Sequence, residues 1–100
     1  MKTETINKIV LNGSNELVLL LNSNGEPMYQ YVYREAAGVY WDEKQKGFKS
    51  TELKEWTISD WYIHIKDIVR TSLSIDLVLN EKTTWENIPE AEQMKIKTAL

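Results

Sequence analysis

The sequence predicts a single α+β domain spanning residues 1–100. An antiparallel β-meander of about five strands is followed by a helix, one further strand and a C-terminal helix. The two observations behind this are a pair of Asn-Gly turn signals in the first half and a change to helical spacing of apolar residues after residue 57. A chain of 100 residues, 42% hydrophobic and 27% charged, has the size and composition of one globular domain.

The first two strands are predicted on either side of Asn12-Gly13, over residues 6–11 and 16–22. An Asn-Gly pair between apolar runs is typical of a β-hairpin. The loop is either this pair alone or a longer one. A shift of one residue would move Ile6, Ile9 and Leu11 to the other face of the sheet, so the register stays open.

The second hairpin is predicted at Asn24-Gly25, with these residues at the centre of a type I′ turn. Leu21 would then face Met28, and residues 28–33 would form the third strand. Both faces of this hairpin would carry apolar or aromatic side chains and need a cover, supplied by a curled sheet, the C-terminal helix or a partner. One face would hold Leu17, Leu19, Leu21, Met28 and Val32, and the other Val18, Leu20, Tyr29, Tyr31 and Tyr33.

The last two strands of the meander are predicted around a charged loop. Ala36-Ala37-Gly38 is expected to turn the chain into a strand over residues 39–42. A loop at 43–47 then leads to a short strand at 48–50.

A helix is predicted over residues 59–72, although WYIHI at 61–65 alternates as a strand does. The wider window decides, because apolar residues recur at helical spacing from Trp61 to Val69. Thr57 or Ser59 would cap its start, with Asp60 near the positive end of the helix dipole. Trp61 is expected to insert against the sheet, and Ile63 falls on the polar side, where it fits worst.

The C-terminal part is predicted as a strand followed by a helix. Leucine and isoleucine alternate with mostly polar residues over 73–79, which indicates a strand with one apolar face. After a turn at 80–83, a helix is expected over 88–98. Asn87 would be its cap, Pro89 would lie in its first turn and Glu90 would complete a capping box.

The residues that carry chemistry are few. The absence of cysteine excludes a disulfide scaffold and a thiolate metal site. His64 is the only histidine and would be the base of any histidine-dependent reaction, with Asp60 one turn before it as an orienting acid. A boundary histidine beside a helix-start aspartate is the favoured interpretation. We therefore predict no enzyme, no cofactor and no metal site.

The predicted location is the cytoplasm, without a membrane or nucleic-acid partner. The N-terminal segment lacks the apolar stretch of a signal peptide. The longest purely apolar run, residues 17–21, is far too short to cross a bilayer. A net charge of −3 argues against binding to phosphates.

The aromatic composition points to the candidate site. Four tryptophans and five tyrosines stand against one phenylalanine, and Trp and Tyr are favoured where a surface is partly apolar and partly wet. The candidate binding residues are Tyr29, Tyr31, Tyr33, Trp41 and Trp56.

These observations favour a small non-catalytic protein-binding domain, of the inhibitor or immunity-protein kind, that acts by occluding a partner. The partner would be another protein or a second copy of the chain. The alternative is a small-ligand or carbohydrate-binding module with Trp and Tyr as stacking platforms, and a small enzyme is the least favoured. The Asn-, Lys- and Ile-rich usage is typical of an AT-rich bacterial or phage genome, where small proteins without a catalytic set often act by binding. This inference is an analogy with small bacterial and phage proteins in general, and it is not drawn from a specific site.

Overall fold

The computed structural model describes residues 1–33 and 37–99 and is a mixed α+β structure. It contains a sheet, two α-helices and a short 3₁₀ helix, Pro27–Val32. The strands are β1 (Lys2–Leu11), β2 (Glu16–Leu21), β3 (Val39–Asp42), β4 (Gly47–Glu52), β5 (Ile75–Val78) and β6 (Thr84–Glu86), and the helices are α1 (Ile58–Leu73) and α2 (Glu90–Thr98).

The sheet is mixed, with the strand order β3-β4-β2-β1-β5 and with β6 also paired to β1. The pairs β1–β2, β2–β4 and β3–β4 are antiparallel, whereas β5 and β6 both run parallel to β1. The predicted α+β class is confirmed. The purely antiparallel meander is not the observed order, because β2 pairs with β4 and the last two strands return parallel to β1.

The first hairpin has the longer of the two loops considered, residues 12–15. The side-chain oxygen of Asn12 accepts hydrogen bonds from the backbone N–H groups of Ser14 (2.9 Å) and Glu16 (3.0 Å), which stabilises the turn. Asn15 adopts a left-handed φ of 58°. The resulting register pairs Ile6 with Leu21 and Ile9 with Leu19, which puts all four residues on the core face.

The prediction of a second hairpin at Asn24-Gly25 is wrong. Gly25 has a φ of +73°, and a Cβ there would lie 2.5 Å from Cζ2 of Trp41, so the chain passes directly over this ring. Pro27 then begins the 3₁₀ helix, and its ring removes a backbone donor that a ladder would need. The chain folds back over the sheet instead of extending it. The predicted strand face of Tyr29, Tyr31 and Tyr33 therefore does not form.

The second half agrees better with the sequence. Of the two predicted caps of helix α1, Thr57 is the observed one, and it forms a capping box with Asp60. The predicted strand over 73–79 is shortened to β5, and β6 was not predicted. Helix α2 begins later than expected, and the predicted Asn87 cap is wrong, since the Asn87 side chain donates to the carbonyl of Leu11 (3.2 Å). The predicted turn at Ala36 lies outside the described residues, but Gly38 has a turn conformation (φ +67°).

The core lies between one face of the sheet and a layer made of α1 and the 3₁₀ helix. Tyr62, Ile65, Val69 and Leu73 of α1 are buried there, together with Tyr29 and Val32. The apolar stripe is thus rotated by one residue from the predicted one. Tyr62 is buried in the core, whereas Trp61 is half-buried at its margin.

The other face of the sheet carries charged side chains. Lys49 lies 3.4 Å from carboxylate oxygens of both Glu16 and Asp42, and the Tyr40 hydroxyl donates to Glu16 (2.9 Å). Val18 pairs with Lys49 and is fully buried although it lies outside the apolar core. These charged groups lie on the second face, for which the sequence predicted a cover from a curled sheet, the C-terminal helix or a partner.

No α-helix within residues 1–33 and 37–99 has the length and apolar character needed to cross a membrane.

Candidate functional site

Three aromatic rings meet at the start of α1 and form what we call the aromatic cluster: Trp56, Trp61 and His64. The Trp56 ring centroid lies 5.0 Å from that of Trp61 and 5.0 Å from that of His64, and the Trp61 and His64 centroids are 5.4 Å apart. The His64 ring meets both indoles nearly edge-on, at 82° and 77°, which is a favourable aromatic geometry. The three rings therefore hold one another in place.

The cluster is held by local structure on two sides. Trp56 immediately precedes the Thr57 cap of α1, and Trp61 and His64 lie three residues apart on that helix, where side chains are neighbours. On the other side, a Cβ at Gly38 would lie 3.2 Å from Cη2 of Trp61, so the turn before β3 packs closely against the indole. The cluster is thus fixed between the first turns of α1 and the approach to β3.

His64 forms a hydrogen bond through its ring nitrogen Nε2. Nε2 lies 2.8 Å from the carbonyl oxygen of Ala37. Because a carbonyl oxygen only accepts, Nε2 carries the proton. Asp60 accepts from the backbone N–H of Thr57 (3.2 Å) as part of the capping box. Among the residues that the structure describes, no carboxylate is hydrogen-bonded to His64, so the orienting acid considered for a histidine-dependent enzyme is not found there.

Trp56 stands between two surface depressions. Its side chain is 47% exposed, which is unusual for a residue that two other rings hold in place. The depressions have volumes of about 540 and 470 Å³. We call their combined lining the Trp56 surface. The first depression is lined by Thr51, Glu52, Lys54, Glu55, Trp56 and Trp61, and the second by Trp56, Asp60, Ile63, His64 and Asp67.

Ile63 extends the apolar part of this surface along α1. It is 50% exposed and lines the second depression as well as a smaller one of about 90 Å³ that continues toward Arg70 and Ala99. This exposure accounts for the residue that fitted the helical pattern worst. An exposed isoleucine beside an exposed tryptophan forms an apolar patch of the kind found at interaction sites.

The charges around Trp56 are mostly negative. Glu52 and Glu55 line the first depression, and Asp60 and Asp67 line the second. Among the described residues, Lys54 is the one cation that lines either depression. Within residues 1–33 and 37–99, none of the four carboxylates forms an ion pair. The described residues of the Trp56 surface therefore combine apolar rings with an excess of negative charge.

The predicted site residues separate into buried and exposed groups. Tyr29 and Trp41 are buried and pack edge-to-face, with centroids 5.2 Å apart. The Tyr29 hydroxyl donates to Glu4, and burial together with this bond raises the pKa of Tyr29 to about 12. The indole N–H of Trp41 donates to Glu43 (2.6 Å). Neither ring presents a face to a ligand, because the chain at Gly25 folds over them.

The exposed group comprises Tyr31, Tyr33 and Trp56. Tyr31 and Tyr33 lie on and just after the 3₁₀ helix, 67% and 52% exposed, and do not line either depression. Only Trp56 lies in the aromatic cluster. Sequence reasoning did not include Ile63 and Asp67 among the site residues. The available signal was Ile63, an apolar residue on the polar side of a predicted helix.

No group of three or more histidine or acidic side chains suited to a metal ion occurs in the described parts of the chain.

Comparisons with known proteins give one structural likeness. No protein-family model matches the chain, and no curated protein matches it. The chain is similar to a solved integron cassette protein, Hfx_Cass5, from the mobile metagenome of the North West Arm sewage outfall. The two are 28% identical over 96% of this chain and 93% of the other, with a TM-score of 0.44. A TM-score of this size does not establish a common fold.

Proposed function

We propose that this chain is a small, non-catalytic, cytoplasmic binding domain that recognises another protein through the Trp56 surface. The observation that supports the proposal is an indole 47% exposed and held in place by Trp61 and His64. Tryptophan is among the side chains that contribute most to protein–protein binding energy. An ordered ring loses little conformational entropy on binding, so more of its contact energy appears as affinity.

The shape of the surface also favours a protein partner. The two depressions flank Trp56 and share it as a common wall, so a partner would place groups on both sides of the ring. Ile63 provides an adjacent apolar contact and the carboxylates provide a polar rim, which is the usual arrangement of an interface. A domain of the inhibitor or immunity kind would act here by covering the functional site of its partner.

The test is affinity capture from the cells that naturally make the chain, with the wild type and surface variants compared. Trp56→Ser and Ile63→Ser should each lose the partner that the wild type retains, because each removes apolar contact area at the centre of the surface. Met94→Ser is the matched control, since Met94 is an exposed apolar residue on α2 outside the depressions. Equal retention by all three variants would contradict the proposal.

A second candidate function is the binding of a carbohydrate or other small ligand. It is favoured by the stacking platform of Trp56 beside carboxylate acceptors, and by depressions within the ~300–1,000 Å³ range of ligand sites. Titration of tryptophan fluorescence with soluble oligosaccharides tests it. A saturable change that disappears in Trp56→Ala would support this candidate, and an unchanged spectrum would remove it.

A further inference from the structure

We infer that the partner presents a cationic segment to the Trp56 surface, with an arginine or lysine next to an apolar side chain. This inference rests on the proposed function and names the chemistry of the partner. Three features of the surface support it: its charges, the exposed indole and the position of Ile63.

The first step concerns the placement of the carboxylates. Two lie on each side of Trp56, Glu52 and Glu55 in the first depression and Asp60 and Asp67 in the second. Among the residues that the structure describes, no lysine or arginine lines the second depression, although Asp67 also lines the smaller depression, where Lys66 and Arg70 lie. A cationic side chain placed there would be attracted by the charges of Asp60 and Asp67, whereas an anionic one would be repelled by both.

Carboxylates elsewhere in the molecule differ from those of the Trp56 surface. The sheet face that does not pack against α1 is called the open sheet face. On it, Lys49 lies within 3.4 Å of both Glu16 and Asp42, and Lys8 pairs with Glu86 at 2.7 Å. Arg70 likewise pairs with Asp76 at 2.6 Å. In the described parts of the chain, these carboxylates form ion pairs and the four carboxylates of the Trp56 surface do not, although Asp60 accepts a hydrogen bond from the Thr57 backbone N–H. The surface therefore offers negative charge that a partner can neutralise.

The third step is the indole itself. The face of a tryptophan ring attracts a cation, and a guanidinium group also stacks on it while it hydrogen-bonds a carboxylate. Trp56 lines the same depression as Asp60 and Asp67, so one arginine can use the ring and a carboxylate at once. Ile63, in that depression, would contact the apolar neighbour of the arginine. This combination favours a cationic-apolar segment over a polyanion or a neutral sugar.

The test is an NMR titration of the full-length protein with three capped peptides of equal length. Each alternates leucine with a second residue, which is arginine, glutamine or glutamate. The arginine peptide should shift the Trp56 indole N–H signal and the amide signals of Ile63 and Asp67. It should bind about tenfold more tightly than the glutamine peptide, the effect of one added cation–π or ionic contact, and should weaken in high salt. The glutamate peptide should not bind.

A charge-matched pair of variants completes the experiment. The double substitution Glu55→Gln with Asp67→Asn should remove the preference for arginine over glutamine. Glu81→Gln with Glu90→Gln changes net charge equally at exposed sites outside the Trp56 surface and should leave the preference intact.

The outcomes separate the two proposals. Equal affinity of the arginine and glutamine peptides at Trp56 would overturn the cationic inference and leave the surface as the binding site. Arginine-peptide shifts that lie elsewhere, or that survive Trp56→Ala, would overturn the inference, as would the absence of binding by the arginine peptide. The proposed function is tested independently by the capture experiment, which does not assume the charge of the partner.

Discussion

Because Gly25 has no side chain, the backbone can turn there and pass over the Trp41 ring. Its left-handed φ of +73° and its contact with the Trp41 ring both require glycine. Gly25→Ala should lower the free energy of unfolding by about 2–4 kcal/mol, from the strained backbone and the displaced ring together. Gly13→Ala is the control, since a Cβ there meets nothing within 4 Å, and it should change stability by less than about 0.5 kcal/mol. Urea denaturation measures both, and equal effects would contradict this role of Gly25.

Glu16 should make stability depend on pH in the acid range. Hydrogen bonds from Asn12 (3.0 Å) and Tyr40 (2.9 Å), with the charge of Lys49, hold the pKa of Glu16 below its ordinary value of 4.5 despite partial burial. The unfolded chain then binds the proton first as pH falls. The stabilisation is complete above about pH 4.5 and is lost as pH drops through the lower pKa of the folded state.

The measurement for Glu16 is thermal unfolding across the acid range. Glu16→Gln should flatten the loss of stability below pH 4.5, because the titrating group is gone. Glu81→Gln, at an exposed site in the turn after β5, should leave the wild-type profile unchanged. If the stability of Glu16→Gln falls with pH as it does in the wild type, another carboxylate controls stability in acid.

At the scale of elements, helix α1 was predictable and the segment after β2 was not. The helix carries its information locally, in the Thr57–Asp60 capping box and in apolar residues at helical spacing. Asn24-Gly25 also carries a strong local signal, but there the conformation is decided by contact of Gly25 with Trp41, sixteen residues further along the chain. A local sequence pattern indicates the tendency to form a turn. It contains no information about a packing partner that lies far away in the sequence.

The same distinction applies to β6. Thr84–Glu86 is too short to show alternation, and it pairs with β1, far away in sequence. The Thr83 hydroxyl secures its start by donating to the carbonyl of Ile6 (2.7 Å). Neither the pairing nor this bond has a local signature, so a short parallel edge strand of this kind escapes sequence reasoning.

The rotation of the α1 stripe gives a prediction about this element. Tyr62 is 2% exposed in the core, so Tyr62→Ala should cost about 3–5 kcal/mol of stability, by analogy with other large aromatic truncations. Ile63→Ala removes an exposed side chain and should cost less than about 1 kcal/mol. Thermal melts of the two neighbouring variants measure the difference. Similar melting temperatures would contradict the observed orientation of the helix.

At the scale of the whole molecule, the sequence located one residue of the candidate site and missed its surroundings. Trp56 was among the predicted binding residues, because tryptophan is enriched where surfaces are half wet. Tyr29 and Trp41 have the same chemistry but are buried, and nothing in their own neighbourhoods distinguishes them from Trp56. Burial is a property of the assembled fold, so composition alone could nominate these residues but could not choose among them.

The assembled fold also distinguishes the Trp56 surface from the two faces of the sheet. One sheet face is covered by α1 and the 3₁₀ helix, and the other carries the Lys49 ion pairs. The Trp56 surface differs from both, because it combines an exposed indole, an exposed isoleucine and carboxylates that form no ion pair within the described residues.

The most direct test of the Trp56 surface is an amide and indole NMR map of the wild-type protein with the partner identified by capture. We predict that the largest changes fall on the Trp56 indole N–H and on the amides of Ile63 and Asp67, where a bound partner would exclude water from the depressions. The amides of Val18 and Lys49, on the open sheet face, should remain unchanged. Changes centred on Val18 and Lys49, with the Trp56 signals unmoved, would contradict the account.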